Sequence, residues 1–194
     1  QGLTEGRFVP GQRLSEPDLM ARYALGRSTV REGLGKLAAS GIVEHIPHRG
    51  ALIRLLSRCA ASDVLRVTEL LLGLAARQAA EAVAAGADPS ALQDAATAYD
   101  LATTEPARAR ARYYRALTSL AGNPELDRLL PMLQIHLIRA QLRFNRPPGR
   151  NARAALVRAV RSGQANTAEI AARGHIRTLI DALPDLPDTV FAPD

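Results

Sequence analysis

Apolar residues recur every three or four positions along most of this chain, and the breaks in that rhythm divide it into helices. The stretch "LSEPDLMARYALG" offers Ser15 as a helix cap, Pro17 near the first turn, apolar Leu19 and Met20, and Gly26 as a stop. This predicts a short helix and a tight turn. A second helix over Arg27 to Ser40 gathers Val30, Leu34, Leu37 and Ala38 on one side, leaves Arg27, Ser28 and Arg31 on the other, and ends at Gly41. The period then shortens. In "IVEHIPHRGALIRLL", β-favouring runs Ile42 to Ile46 and Ala51 to Leu55 flank the turn formers Pro47, His48, Arg49 and Gly50, which predicts a hairpin.

The segment Ser57 to Ser62 reads as a linker, with Ser62 capping the helix that follows. From Asp63 to about Leu183 only helical periods occur, interrupted at Gly86–Pro89, Thr104–Pro106, Gly122–Pro124 and Pro147–Gly149. Six or so helices are expected. Val64, Leu65, Leu71, Leu72, Ala75 and Ala79 form one apolar face, and Leu126, Leu129, Leu130, Leu133 and Leu137 another, enough for an antiparallel bundle. No internal repeat is visible. The tail "PDLPDTVFAPD" is expected to run along the surface without regular structure.

Composition narrows the class of protein. With 47% hydrophobic and 23% charged residues in a chain of 194, a small module joined to a larger helical one fits well. A net charge of +6 favours a polyanionic partner, because each phosphate a cation contacts releases condensed counterions. Lys36 is the only lysine, an arginine excess that GC-rich coding explains more readily than phosphate recognition. One cysteine, Cys59, cannot form an internal disulfide, and it has no neighbouring base to activate it, so it reads as structural. With no signal-peptide pattern and no long apolar run, a soluble cytoplasmic protein is expected. The opening "QGLTEGRFVPGQRL" reads as the tail of an element that begins upstream.

A helix, a tight turn, a second helix headed by cations and hydroxyls, and a hairpin together describe a winged helix-turn-helix, whose second helix enters the DNA major groove. Arg27 and Arg31 lie four apart on one face. The helix start and the Ser28 and Thr29 hydroxyls suit phosphate, and His48, Arg49 and Gly50 let the wing approach the backbone or minor groove. A lone arginine pair would more often be a solvated face. The order of elements outweighs that reading here.

At these residues the chain resembles the GntR family of bacterial transcription regulators. "GRFVPGQRLSEPDLMARYALGRSTVREGLGKLAASGIVEHIPHRGALI" follows the family's DNA-binding pattern, including "PG..L", "R.TVRE.L..L...G.V" and the "RGA" wing. By position, the resemblance makes Arg27, Ser28, Thr29 and Arg31 recognition-helix contacts and His48, Arg49 and Gly50 wing contacts. Three departures stand out. Pro17 replaces a DNA-contacting arginine of many members, Gly33 and Gly35 replace better helix formers at about 1 kcal/mol each, and the family's first helix is expected before Gln1.

The helical remainder resembles the FadR-like branch, whose C-terminal FCD domain senses effectors and dimerises. "SDVLRVTELLLGLAARQAAE", "YYRALTSLAGNPEL" and "ALVRAVRSGQANTAEIAARGHI" carry that likeness. The resulting fold is mainly α: a winged helix-turn-helix over residues 1–56 and an FCD-like bundle over 57–194. Many FCD domains hold a divalent metal on an aspartate and three histidines, and the metal binds a small carboxylate. The corresponding positions here are Arg110, Tyr114, Arg153 and His175, of which His175 alone keeps a ligand type. The family's metal site is therefore expected to be lost, with no cofactor in its place.

Two readings of that region remain open: a metal-free effector pocket in which Arg110 and Arg153, with the Tyr114 hydroxyl and His175 beside them, hold a small anion or carboxylate directly, or a decayed pocket in which "ARARAR" is a solvated face and Arg153 pairs with an acid. His136, Arg139 and Arg143, spaced three to four apart, are further candidates to line the cavity, although a histidine among leucines is more often a bonded core residue. His45 is read as packing or meeting phosphate, and Asn123 as a helix cap. What the resemblance implies is a ligand-responsive repressor that reads a short palindromic operator as a homodimer. A regulator that has lost small-molecule sensing and acts constitutively or through a protein partner is the alternative. An enzyme is not expected, since no Glu-x-x-His pair, HExxH, phosphate loop or activated nucleophile is present.

Overall fold

The computed structural model describes residues 7–46, 50–104, 106–133, 138, 141 and 150–193. Its first module runs β1 (Arg13–Leu14), α1 (Glu16–Tyr23), α2 (Arg27–Ala39), β2 (Val43–Ile46) and β3 (Gly50–Ile53). Ser15 caps α1 by accepting from Asp18 N, and Pro17 sits in the first turn, as its fixed φ allows. The hairpin is antiparallel, with Val43 opposite Ile53 and Ile46 opposite Gly50.

A third strand that periodicity did not reveal, β1, pairs with the other side of β3, so the order is β1-β3-β2. Two residues are too short to show an alternation. Leu14, Val43, Ala51 and Ile53 turn inward against Val30 and Leu34 of α2, forming the module's core. Leu37, expected in that core, is instead 38% exposed, and Ala38 is half-buried. The physical reason is cover: α1 itself contributes no fully buried residue, so the far half of α2 has little to pack on.

Eight helices stand among the described residues, and the larger body holds six of them: α3 (Arg58–Ala84), α4 (Ser90–Leu101), α5 (Pro106–Ala121), α6 (Pro124–Met132), α7 (Arg150–Arg161) and α8 (Ala165–Asp181). Here the linker expectation fails. Ser57, not Ser62, caps α3, its hydroxyl accepting from Ala60 N, and "RCAAS" is helical because nothing in it opposes continuation once the cap is set. Leu65, Leu72, Ala75 and Ala79 are buried as expected, while Val64 and Leu71 are half-buried. In the second expected face Leu126 is buried and Leu129, Leu130 and Leu133 are half-buried; Leu137 and the Pro147–Gly149 break lie outside the described residues. Asn123 caps α6 through Glu125 N. Cys59, expected to be structural, is exposed.

The longest packing seam joins α3 to α8. Ile176 and Leu179 of α8 are fully buried with Leu65 and Leu72 of α3, each side chain contributing about 2 kcal/mol. Buried Gly73 leaves room for the Arg173 stem: a Cβ there would fall 2.9 Å from Arg173 Cγ. Polar ties flank the seam. Arg177 donates to nearly buried Glu69 at 2.5 Å, and Arg77 Nε donates to Glu169 at 2.7 Å. The Arg77 hydrogen bond holds the Glu169 carboxyl below its ordinary range, partial desolvation opposes it, and Arg173 adds to the lowering.

The tail is also more ordered than its composition suggests. It forms a 3-10 turn over Asp188–Val190, and Ala192 bridges Ser57 in parallel, its N–H donating to Leu56 O at 3.1 Å. Arg58 gathers the chain that follows α8: its guanidinium donates to Leu183 O, to Leu186 O at 2.8 Å and to Asp188 at 2.7 Å, and lies 4.3 Å over the Phe191 ring. A proline- and aspartate-rich string is unstructured only while it lacks such partners. Phe191 and Arg58 supply them.

Ala24 closes α1 in the left-handed region, at φ 53, the one non-glycine residue with positive φ among those described. The conformation costs an L-residue about 1 kcal/mol that glycine does not lose. Ala24→Gly is therefore expected to stabilise the winged module by about 1 kcal/mol, read as a raised denaturation midpoint at unchanged slope. A lowered midpoint would mean the turn depends on the alanine methyl.

Candidate DNA-reading face and effector region

The start of α2 is built for anions. Gly26 is its N-cap and offers no side chain to the first-turn N–H groups, so those donors point outward with the positive end of the helix dipole. Arg27, Ser28 and Thr29 are all exposed around that end, and the next residue, Val30, turns into the core. Arg27 has no ion-pair partner among the described residues. Burial of Val30 and Leu34 thus fixes which side of α2 faces out.

Arg31, one turn on, is differently placed. Its Nε donates to both carboxylate oxygens of Glu16 on α1, each at 3.0 Å, while its side chain stays 64% exposed. A cleft of 640 Å³ opens beside the pair, bounded by the first turn of α1, by α2 and by the sheet, with Arg13, His45 and Gly50 on its walls. Arg13, which is not among the residues expected from the sequence, also lines this cleft. It lies in β1, 4.0 Å from where a Gly50 Cβ would be, and only the register of an unrecognised strand brings it to the wing base. Exposed His45 shares the cleft and packs into no core. Gly50 begins β3 at φ 77, a conformation glycine adopts without strain. His48 and Arg49 lie outside the described residues. Pro17 is exposed, and Gly33 and Gly35 face open space, so no close approach explains either glycine.

In the helical body, Tyr114 Oη lies 3.1 Å from His175 Nε2, joining α5 to α8. Arg153 of α7 is buried and engaged: it donates through Nε, at 3.0 Å, and through Nη2 to Asp100 at the end of α4, and its guanidinium lies 4.1 Å from the Tyr99 ring centroid. Tyr99 stands 6.2 Å from Tyr113, which meets Tyr114 edge-on at 5.1 Å, so one aromatic chain connects Arg153 to the Tyr114–His175 pair. Tyr113 is buried, its hydroxyl has no hydrogen-bond partner among the described residues, and burial pushes its phenol up, keeping the proton on. Arg110 is half-buried on α5 and engaged in an interaction of its own. His136, Arg139 and Arg143 lie outside the described residues.

This donor set does not fit a divalent metal. Guanidinium has no lone pair to give, Tyr114 already engages His175 Nε2, and no group of three or more His, Cys, Asp or Glu residues stands together among the described residues. Tyr99, Asp100 and Tyr113 were missed by the sequence reading. Asp100 lies more than fifty residues from Arg153 in the chain, so no local spacing links them.

Residues 1–53 match the model of the bacterial regulatory proteins of the gntR family, and residues 63–178, over half of the chain, match that of the FCD domain. The chain belongs to the GntR family and carries an FCD domain. Like other members it is a transcription regulator and not an enzyme. Among solved structures, a GntR transcriptional regulator from Rhodococcus sp. RHA1 superposes with a TM-score of 0.77 at 22% identity, over 95% of this chain and 92% of that one. McbR/YncC of E. coli gives 0.76 at 16% identity over the same shares, 95% and 92%. A Listeria monocytogenes protein, described as controlling expression of the agr system, gives 0.56 at 18%, over 96% of this chain and 93% of that one. These likenesses establish the fold. No curated protein sequence matches the chain. No helix among the described residues is long and apolar enough to cross a membrane.

The Arg153 side chain is 10% exposed and that of Asp100 24%. Asp100→Ala therefore strands a mostly buried cation and is expected to cost about 2 kcal/mol, somewhat less than for a fully buried pair because Asp100 is partly solvated. Arg153→Met combined with Asp100→Leu should recover most of that loss in chemical denaturation. A double variant as unstable as the single would show that the pair is needed for more than its own neutralisation.

Proposed function

We propose that this regulator, of the FadR-like branch, acts in the cytoplasm as a homodimer that represses transcription by occupying a short palindromic operator. The observation that carries the reading is the start of α2, where Arg27, Ser28 and Thr29 surround an open helix N-terminus with Arg31 one turn behind. One recognition helix reads a half-site, and a two-fold dimer reads two. Repression needs nothing beyond occupancy of promoter DNA. For the dimer contact we choose α3, where Val67, Leu70 and Leu74 are 46%, 56% and 37% exposed in one stripe. Leu70 lies at the middle of that stripe, so a two-fold axis there sets the stripe of one copy against that of the other.

The test uses duplexes selected from a randomised library, titrated at several salt concentrations. Arg31→Ala is expected to flatten the preference at one base pair per half-site, weakening specific binding about tenfold, whereas Arg27→Ala should also shallow the salt dependence if Arg27 meets phosphate. Leu70→Glu should leave a monomer in sedimentation, with specific binding weakened to the level of one half-site. An unchanged base preference in Arg31→Ala would remove α2 as the reading helix.

We propose no resident metal. The Arg153–Asp100 pair favours the second reading, a regulator that has lost small-molecule sensing and acts constitutively or through a protein partner, because a carboxylate arriving at Arg153 must displace Asp100. Protein purified without a histidine tag should carry no stoichiometric zinc, nickel or manganese. A panel of small carboxylates should leave its melting temperature unshifted. A saturable stabiliser whose effect vanishes in Arg153→Met would restore the anion pocket.

A further inference from the structure

The geometry points to Glu16 as the positioning residue for Arg31, fixing which edge of that guanidinium is presented for base reading; the inference rests on the DNA-reading role proposed for α2. A guanidinium has a lateral edge that includes Nε–H and a terminal edge formed by the two Nη groups. Glu16 takes the Nε–H with both carboxylate oxygens at 3.0 Å, and neither Nη of Arg31 donates a hydrogen bond among the described residues. The terminal edge, which matches O6 and N7 of a guanine, is the one left over.

Both residues are held by rigid elements. Glu16 is in the first turn of α1 just after the Ser15 cap, and Arg31 follows Val30, whose burial sets the face of α2. Glu16 is less exposed than Arg31, at 32% against 64% for the side chains, so the carboxylate forms the fixed wall and the arginine reaches past it. An exposed ion pair of this kind contributes little stability. Its effect lies in restricting a long, rotamer-rich side chain before DNA arrives, which lowers the ordering cost of the base contact.

A carboxylate this close to the docking face has a cost, since it repels phosphate. Two roles for Glu16 therefore predict opposite results. As a positioning residue it confers discrimination at one base pair. As a mere competitor for Arg31 it weakens binding to every sequence alike.

The experiment compares wild type, Glu16→Gln, Glu16→Asp, Arg31→Ala and the double variant Glu16→Gln/Arg31→Ala on duplexes selected from a randomised library by the wild-type protein. Thermal melts confirm folding, which the exposure of both side chains makes robust. Glu16→Gln is expected to reduce discrimination about tenfold at the base pair that Arg31→Ala flattens and nowhere else. Glu16→Asp keeps the charge but shortens the reach, and is expected to lose discrimination at that same pair. The double variant should discriminate no worse than Arg31→Ala alone, because the two residues act as one unit.

Equal tightening on all duplexes by Glu16→Gln, with the preference intact, would overturn the inference while leaving Arg31 as the reader. So would a Glu16→Asp variant with full discrimination, which would reduce the effect to charge alone. An Arg31→Ala variant with an unchanged preference would instead overturn the underlying reading of α2, and the inference with it.

Discussion

The backbone of Leu56 is bonded from two directions, and the relation between the winged module and the helical body depends on it. Gln141 accepts from Leu56 N at 2.9 Å and donates to Leu56 O at 2.7 Å, as a neighbouring strand would, and Ala192 N donates to the same carbonyl. Gln141 also donates to Val190 O at 2.8 Å, so one buried amide ties the junction to the tail. Each bond nets about 1 kcal/mol, but an unsatisfied buried partner would cost more, which makes the set cooperative. Arg58 begins α3 two residues later and holds Leu183, Leu186 and Asp188. There is thus no free linker between the modules.

Arginine dominates the cations of this chain, and the structure sorts those arginines by partner. In the body, Arg58, Arg77, Arg153, Arg173 and Arg177 each face a carboxylate, and they tie α3 to α8, α4 to α7 and the tail to the junction. Their planar forks also cover apolar surface, as Arg153 does over Tyr99 and Arg58 over Phe191. At the start of α2 the situation reverses: Arg27 is exposed beside hydroxyls and open N–H groups. A net charge of +6 is therefore a poor guide to the partner by itself. The start of α2 is set apart by an exposed arginine beside an open helix N-terminus.

Much of this was legible in advance, for physical reasons that also explain the failures. Ser15 and Asn123 act within one turn of chain, and the outward side of α2 follows from the burial of Val30 and Leu34, whereas Gly26, expected to stop α1, caps α2 instead and Ala24 closes α1. Local rules reach that far. The strand Arg13–Leu14 exists because Leu14 finds Ala51, nearly forty residues away, and the tail is ordered because Phe191 finds Arg58. Arg153 carries no sign in its neighbours that Asp100 awaits it, and Glu16 none that Arg31 does. Positional likeness to the family identified Arg153 and His175 as site positions, but only the fold shows that one is neutralised and the other engaged by Tyr114.

The same helix closes both the polar cluster and the junction. His175, bonded to Tyr114, lies within α8, and Leu183, which accepts from Arg58, comes directly after its end. Between them Ile176 and Leu179 are fully buried in the α3 seam, and packed apolar side chains do not slide by fractions of a contact. Along this path the Tyr114–His175 hydrogen bond and the Arg153–Asp100 ion pair are made of the chain's own side chains. Displacing α8 along its axis would strain the Tyr114–His175 bond at one end and the Arg58–Leu183 contact at the other, so the seam with α3 is pinned by polar contacts at two points as well as by packing.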